Sequence, residues 1–326
     1  MALIMNGPAA GNPEAELPTL EGKRCVVTGA TSGIGLSLAA MLAARGSEVV
    51  GVGRSRERCR EAVERVRGEA PGARISYECA DLSSQEQVRG LAARLASGGD
   101  KIDVLVNNAG TFSLTRVITA DGIELQLAVN YLAAFLLSTL LLPSMASGGR
   151  IINVSSGSHV GARIRFGNIG LRPIYNGLSA YGQSKLAIVL FTRELARRLG
   201  PQAPVSVYAA DPGLVDTAIG TKGTGPLVAA FWRLRARAGV APRESAAWLA
   251  YLASAPEVAT PSGEYWHQGR LTASSPRSRD PHAASRLWDL SERLCGEHFA
   301  APMRMQSAPP ARAGFSSGRT RPEAAG

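Results

Sequence analysis

Short runs of apolar, β-branched residues alternate along the middle of this chain with longer stretches of helical period. The runs are Cys25 to Thr28, Val49 to Val52, Ile75 to Cys79, Val104 to Val106, Ile151 to Val154, Val205 to Ala209 and Glu264 to His267. A strand that is apolar throughout suits a sheet covered on both faces, and the intervening helices supply the cover. The pattern predicts βαβ units around a mainly parallel sheet of seven strands. Ile34 to Ala44 reads as a helix, rich in alanine and stopped at Gly46. Ser84 to Ala96 reads as another, opening on an Asp/Ser cluster suited to N-capping and apolar at Val88, Leu91, Ala92 and Leu95. No internal repeat or linker breaks the alternation, so one domain is expected over residues 19–301.

Composition bears on what flanks that domain. With 45% hydrophobic and 19% charged residues, the 326-residue chain can bury a large core. Residues 1–18 are rich in Ala, Pro and Gly without periodicity, and residues 302–326 hold almost no large apolar side chains, so both ends are expected to be disordered. The net charge is +10, but the C-terminal tail carries Arg304, Arg312, Arg319 and Arg321 against Glu323. Global charge therefore says little about partners, and no nucleic-acid motif accompanies it.

Cys25, Cys59, Cys79 and Cys295 form no CxxC pair, and His159, His267, His282 and His298 show no ligand spacing. No metal and a reducing, cytoplasmic setting are expected. No basic segment followed by an apolar run opens the chain. The longest apolar run, Val129 to Met145, contains Asn130, Ser138 and Pro143 and is shorter than the roughly 20 residues of a membrane span. It reads as a buried helix.

The chemistry begins where the first strand meets the first helix, at Thr28-Gly29-Ala30-Thr31-Ser32-Gly33-Ile34-Gly35. Glycines there let a backbone approach a pyrophosphate, and the first N–H groups of the helix face its charge. The second strand ends at Gly53-Arg54-Ser55-Arg56. An acidic residue at this point would bind the ribose hydroxyls of NAD, whereas a guanidinium matches the 2′-phosphate of NADP. Tyr181 and Lys185 lie four apart and so share one face of a helix. A phenol is a poor base unless a neighbouring ammonium favours its phenolate. Ser156 follows a strand at the carboxyl edge of the sheet, where it could hold a substrate oxygen.

In order, Thr28-Gly29-x-x-x-Gly33-x-Gly35, Asn107-Asn108-Ala109-Gly110, Asn130, Val154-Ser155-Ser156, Tyr181-x-x-x-Lys185 and Asp211-Pro212-Gly213-Leu214-Val215-Asp216-Thr217 resemble the short-chain dehydrogenase/reductase family. Asn130-Tyr131, Tyr181 to Ala187 and the closing Leu287-Trp288-Asp289-Leu290-Ser291 resemble its retinol-dehydrogenase-like branch. The resemblance implies an α/β single-domain Rossmann fold with a doubly wound, mainly parallel seven-stranded sheet flanked by helices. It implies Tyr181 as proton donor or acceptor, with Lys185 binding the nicotinamide ribose and lowering the Tyr181 pKa. Ser156 would orient the carbonyl, and Asn130 would hold a water in a relay to Lys185. Cofactor contacts would come from Gly29, Thr31, Ser32, Gly33, Ile34 and Gly35, from Arg54, and from Asp81 with Leu82 at the adenine. Asn108, Ala109 and Gly110 would line the adenosine, and Pro212, Gly213, Val215 and Thr217 the nicotinamide.

The expected activity is NADP(H)-dependent interconversion of an alcohol and its aldehyde or ketone on a lipophilic substrate. A nucleotide-binding protein without turnover and a C=C reductase of the same fold are the alternatives. A homodimer through the helices Val129 to Met145 and Tyr181 to Leu199 is implied by the resemblance. Asp211 departs from it, since His is frequent before Pro-Gly there. The long stretch Gly157 to Ala180, with Arg163, Arg165, Phe166, Ile169, Leu171 and Ile174, either folds over the site or is an ordinary surface loop. Phe231 to Arg237 reads as a lid helix or as a weak membrane-surface contact.

Overall fold

The computed structural model describes residue 14 and residues 17–213, 241–259 and 262–299. Eight strands form one sheet: β1 (Arg24–Thr28), β2 (Glu48–Gly53), β3 (Ile75–Cys79), β4 (Ile102–Asn107), β5 (Met145–Val154), β6 (Val205–Asp211), β7 (Tyr265–His267) and β8 (Arg270–Leu271). Their order is β3-β2-β1-β4-β5-β6-β7-β8, parallel except for the last pair. The order reverses between β1 and β4, which opens a crevice at the carboxyl edge of the kind that binds ligands in such sheets.

The seven strands expected from sequence are present, and β8 is the correction. It has only two residues, too few for any periodicity to register. Tertiary pairing with β7 creates it through the turn Gln268-Gly269, whose φ values of 48° and 71° suit a two-residue hairpin loop.

Apolar residues alternate between the two faces of each central strand. Val26 joins the core under one helical layer, while Cys25 and Val27 join the core under the other. The first layer holds α3 (Gln85–Ser97), α4 (Leu125–Ser144), α5 (Gly177–Leu199) and α7 (Pro281–Cys295). The second holds α1 (Gly33–Ala44), α2 (Arg56–Glu69) and α6 (Pro242–Ser254).

The apolar run expected as a helix from Val129 to Met145 is shifted. Glu124 caps its start by accepting from Gln126 N at 3.0 Å and Leu127 N at 2.8 Å, and Met145 opens β5 instead. The helix has 20 residues and a mean hydropathy of 1.8, enough to cross a membrane by length and composition, yet 83% of its apolar window is buried against the sheet and its neighbours. The packed chain also begins before the expected boundary at residue 19. Leu17 is buried, and Arg45 Nη1 donates to its carbonyl at 2.8 Å. The tail from 302, and the residues before 14, lie outside the described residues.

The apolar faces of α4 and α5 are covered within this chain by α7. Trp288 sits 5.0 Å from Phe135 and 6.0 Å from Phe191, centroid to centroid. Arg198 lies 4.3 Å over the Trp288 ring and donates to Glu194 at 2.8 Å. Glu194 is buried, which alone would raise its pKa, but bonds from Arg197 and Arg198 outweigh burial and hold it below the usual carboxylate range. A carboxyl depressed in the folded state contributes stability above its unfolded pKa of about 4.3 and loses it as pH falls. Glu194→Gln should therefore cost about 1.5–3 kcal/mol at pH 7, read by denaturant unfolding. The gap from wild type should close as pH drops below about 4.

Candidate active site

The turn after β1 explains the spacing of its glycines. Gly29 has φ of +68°, and a Cβ there would come within 2.9 Å of Ala109 Cα. A Cβ on Gly35 would collide with Gly29 O and Asn108 Nδ2. These positions seat the start of α1 against the β1 and β4 ends, with no room for a side chain between. Thr28 Oγ1 accepts from both Asn108 N and Ala109 N at 3.0 Å, and Asn108 Nδ2 donates to Thr28 O at 2.9 Å. Ser32, the N-cap of α1, makes no side-chain capping bond, and the first turn holds no acidic residue. The caps of α2 and α3, Ser55 and Ser84, each accept from a backbone N–H. The leading amides of α1 are thus left for an anion, which fits the pyrophosphate of a nicotinamide dinucleotide.

Across the crevice, α5 begins at Gly177, capped by the Asn176 side chain accepting from Ser179 N at 2.9 Å. Tyr181 and Lys185 follow one turn apart. Lys185 is buried and its Nζ donates to Val154 O at 2.8 Å, while Ser155 Oγ donates to Lys185 O at 3.0 Å. These bonds tie the helix to the end of β5, and Ser156 comes next in the chain. Ser156 Oγ accepts from Ser158 N at 3.2 Å and hydrogen-bonds the Tyr181 phenol. Phe112 meets the Tyr181 ring edge-on at 5.8 Å.

Burial pushes the Tyr181 phenol up to about 12; the bond with Ser156 lowers it, and the Asp211 charge raises it. Burial likewise lowers Lys185 to about 8, opposed by Asp211. The Lys185 ammonium lies 5.7 Å from the Tyr181 ring centroid. The lowering influence on the phenol acts through Ser156, because the ammonium is spent on the Val154 carbonyl. At neutral pH the site holds a protonated phenol beside a hydroxyl, with a cation behind them. Such a set can deliver a proton to an oxygen held by Ser156.

Asn130 lies in a π segment of α4, Ala128–Leu132. Its Nδ2 donates to Thr111 O and Ser184 Oγ, both at 3.0 Å, and its Oδ1 accepts from Thr111 N at 2.6 Å. Its side chain thus joins the loop after β4 to α5 beside Tyr181. Arg54 is exposed at the end of β2 and forms no ion pair with any described residue. The Asp81 carboxylate accepts from Ser83 N at 2.9 Å and shapes the turn after β3, while Leu82 packs partly on the core. Pro212 is buried and Gly213 N donates to Asp211 at 3.0 Å. Val215, Thr217 and Phe231 to Arg237 lie outside the described residues.

Several contributors carry no motif in the sequence. Asn107 Nδ2 donates to Ser138 Oγ and Asn153 Oδ1, both at 2.8 Å, and Asn153 Nδ2 donates to Thr192 at 3.0 Å. This buried polar chain joins α4, β4, β5 and α5. His159 Nε2 accepts from Ser275 N at 3.2 Å, which leaves Nδ1 to donate to Ser156 O at 2.9 Å. The stretch between Ser156 and Tyr181 packs beside the site. Arg165 N donates to Gln183 Oε1 and Gln183 Nε2 to Ile169 O, each at 2.9 Å.

Residues 23–224 match the short chain dehydrogenase family model. Human retinol dehydrogenase 13 is 37% identical over 306 residues, covering 90% of this chain and 91% of its own. Mouse polyprenol dehydrogenase is 37% identical over 287 residues, 86% of each chain. Among solved structures, a short chain dehydrogenase from Burkholderia cenocepacia in complex with NADP is 30% identical with a TM-score of 0.60, covering 76% of this chain and 96% of that one. With its crevice, its Gly-rich turn and its Ser-Tyr-Lys cluster all matched by these relatives, the chain belongs to the short-chain dehydrogenase/reductase family, in the retinol-dehydrogenase-like branch.

Proposed function

We propose that the protein is an NADP(H)-dependent oxidoreductase that interconverts a lipophilic alcohol and its aldehyde or ketone, with Tyr181 as acid/base. The observation that carries this reading is the convergence of Ser156, Tyr181 and Lys185 at the carboxyl edge, opposite the Gly29–Gly35 turn. NADP(H), when bound, supplies or accepts the hydride. Gly29 to Gly35 and the leading amides of α1 would hold its pyrophosphate, and Asn108 to Gly110 and Pro212 to Gly213 its two ends. Arg54, unpaired beside Gly53, supports NADP over NAD, because a guanidinium left without a carboxylate suits a phosphate. Ser156 would hold the substrate oxygen and Tyr181 would deliver or take its proton, so the protein contributes orientation and proton placement.

A lipophilic substrate is supported by the rim. The exposed large hydrophobics among the described residues, Leu114, Val117, Ile118, Val160, Ile174 and Leu178, lie in the loop after β4 and between Val160 and the start of α5. Those segments lead into Phe112 and Tyr181, so the apolar surface adjoins the reacting centre. The relatives named for retinol and polyprenol point the same way. A homodimer is the remaining expectation of the resemblance, and sedimentation mass decides it.

Wild-type protein mixed with NADPH and a panel of aldehydes and ketones, retinal and polyprenals included, should consume NADPH, with the alcohol as product. Tyr181→Phe should lose at least about 100-fold in kcat/KM while still binding NADPH. Turnover at the wild-type rate in that variant would refute Tyr181 as the acid. Arg54→Ala should raise the KM for NADPH by about tenfold and leave that for NADH unchanged. Gly35→Ala should abolish NADPH binding, read by quenching of protein fluorescence.

A further inference from the structure

One buried charge in this site has no part in the chemistry assigned to Ser156, Tyr181 and Lys185. Asp211 closes β6 with its side chain 4% exposed. Oδ1 accepts from Gly213 N at 3.0 Å, and Oδ2 accepts from Tyr265 OH at 2.8 Å and lies 3.1 Å from His267 Nδ1. No lysine or arginine among the described residues pairs with it. A buried carboxylate without a cation is costly, and the titratable partner within bonding distance is the His267 imidazole, whose side chain is 45% exposed.

We infer that Asp211 and His267 form a charge pair behind the catalytic tyrosine, in which Asp211 holds the proton on Tyr181 and His267 is its pH-sensitive counter-charge. The inference deepens the proposed function and rests on that reading. Asp211 is a positioning residue here, since it acts through Tyr181 and the Gly213 loop.

Position and charge carry the inference. β7 lies parallel to β6, with His267 in register with Asp211, and Gln268 N donates to Asp211 O at 2.9 Å. The β7–β8 hairpin therefore delivers the imidazole to the carboxylate. The Asp211 charge reaches both α5 groups, opposing the Tyr181 phenolate and favouring the Lys185 ammonium. Other groups facing the pair do not replace this function. Tyr265 is pushed up by burial and by Asp211, so it remains a proton donor to Oδ2. Arg270, opposite His267 in the hairpin, carries a fixed charge. His159, with its ring 4.9 Å from Tyr265, is held by Ser275 N and Ser156 O.

The sign follows from these charges. When His267 is neutral, Asp211 acts uncompensated and Tyr181 keeps its proton further into the alkaline range, as reduction requires. When His267 is protonated, the pair is close to neutral and Tyr181 gives up its proton more readily. Histidine ordinarily changes charge between about pH 5 and pH 8, so the coupling operates in the range where an enzyme works.

The test is the pH profile of kcat/KM for NADPH-dependent reduction of one aldehyde by full-length wild type, Asp211→Asn and His267→Gln. Asparagine keeps an acceptor for Gly213 N, and glutamine keeps a donor towards Asp211, so each substitution removes charge while leaving a hydrogen-bonding group. The alkaline limb should fall about one pH unit lower in Asp211→Asn. Wild type should show an inflection between about pH 5 and pH 8 that His267→Gln lacks. Profiles that differ only in height would assign both residues a structural role and overturn the inference alone. If Asp211→Asn does not fold, His267→Gln decides, and persistence of the inflection overturns the inference. Absence of turnover in wild type, across the carbonyl panel, overturns the proposed function and this inference with it.

Discussion

Lys185 Nζ donates to Val154 O at 2.8 Å, and through that bond a 23-residue helix is held in register with the carboxyl end of β5. The bond is short because the ammonium has little other recourse: it is buried, and an unsatisfied charge there would be expensive. Ser155 returns a bond to Lys185 O, so the next residue of the strand, Ser156, and the preceding turn of the helix, Tyr181, face one another. The reacting groups come from segments 25 residues apart in sequence. Their meeting is a property of this junction, and α7 buttresses it from behind through Trp288 and Arg198.

The second junction of the site is built by exclusion of side chains. Gly29 and Gly35 let the start of α1 close on Asn108, whose amide bridges back to Thr28. The same closeness that seats the helix leaves its leading amides uncapped, whereas α2 and α3 spend theirs on serines. The crevice at the strand-order reversal thus has one anion-seeking wall and one proton-bearing wall. Packing that secures the fold and geometry that binds a cofactor are here the same contacts.

Much of this was legible in the chain, for identifiable reasons. Apolar β-branched runs such as Cys25 to Thr28 name their own secondary structure, because a strand buried on both faces has no polar side. Tyr181 and Lys185 are four apart, so helical geometry alone puts them on one face. Other features were not legible. β8 exists only because a two-residue segment finds β7, and α4 starts at Leu125 because Glu124 turns back to cap it. Leu17 lay within a stretch that looked structureless by composition, yet Arg45 fastens its carbonyl beside α1.

The sequence by itself determined the element order, the glycine turn and the identity of the groups that can move a proton, since each rests on local spacing or on residue chemistry. The tertiary structure decided their electrical state. Burial raises Tyr181 and lowers Lys185, and the charge that works against a Tyr181 phenolate comes from Asp211, 30 residues beyond it. The His267 that faces that carboxylate arrives from a hairpin at the far edge of the sheet. Desolvation and charge act through space, over distances set by packing, and no spacing along a chain encodes them.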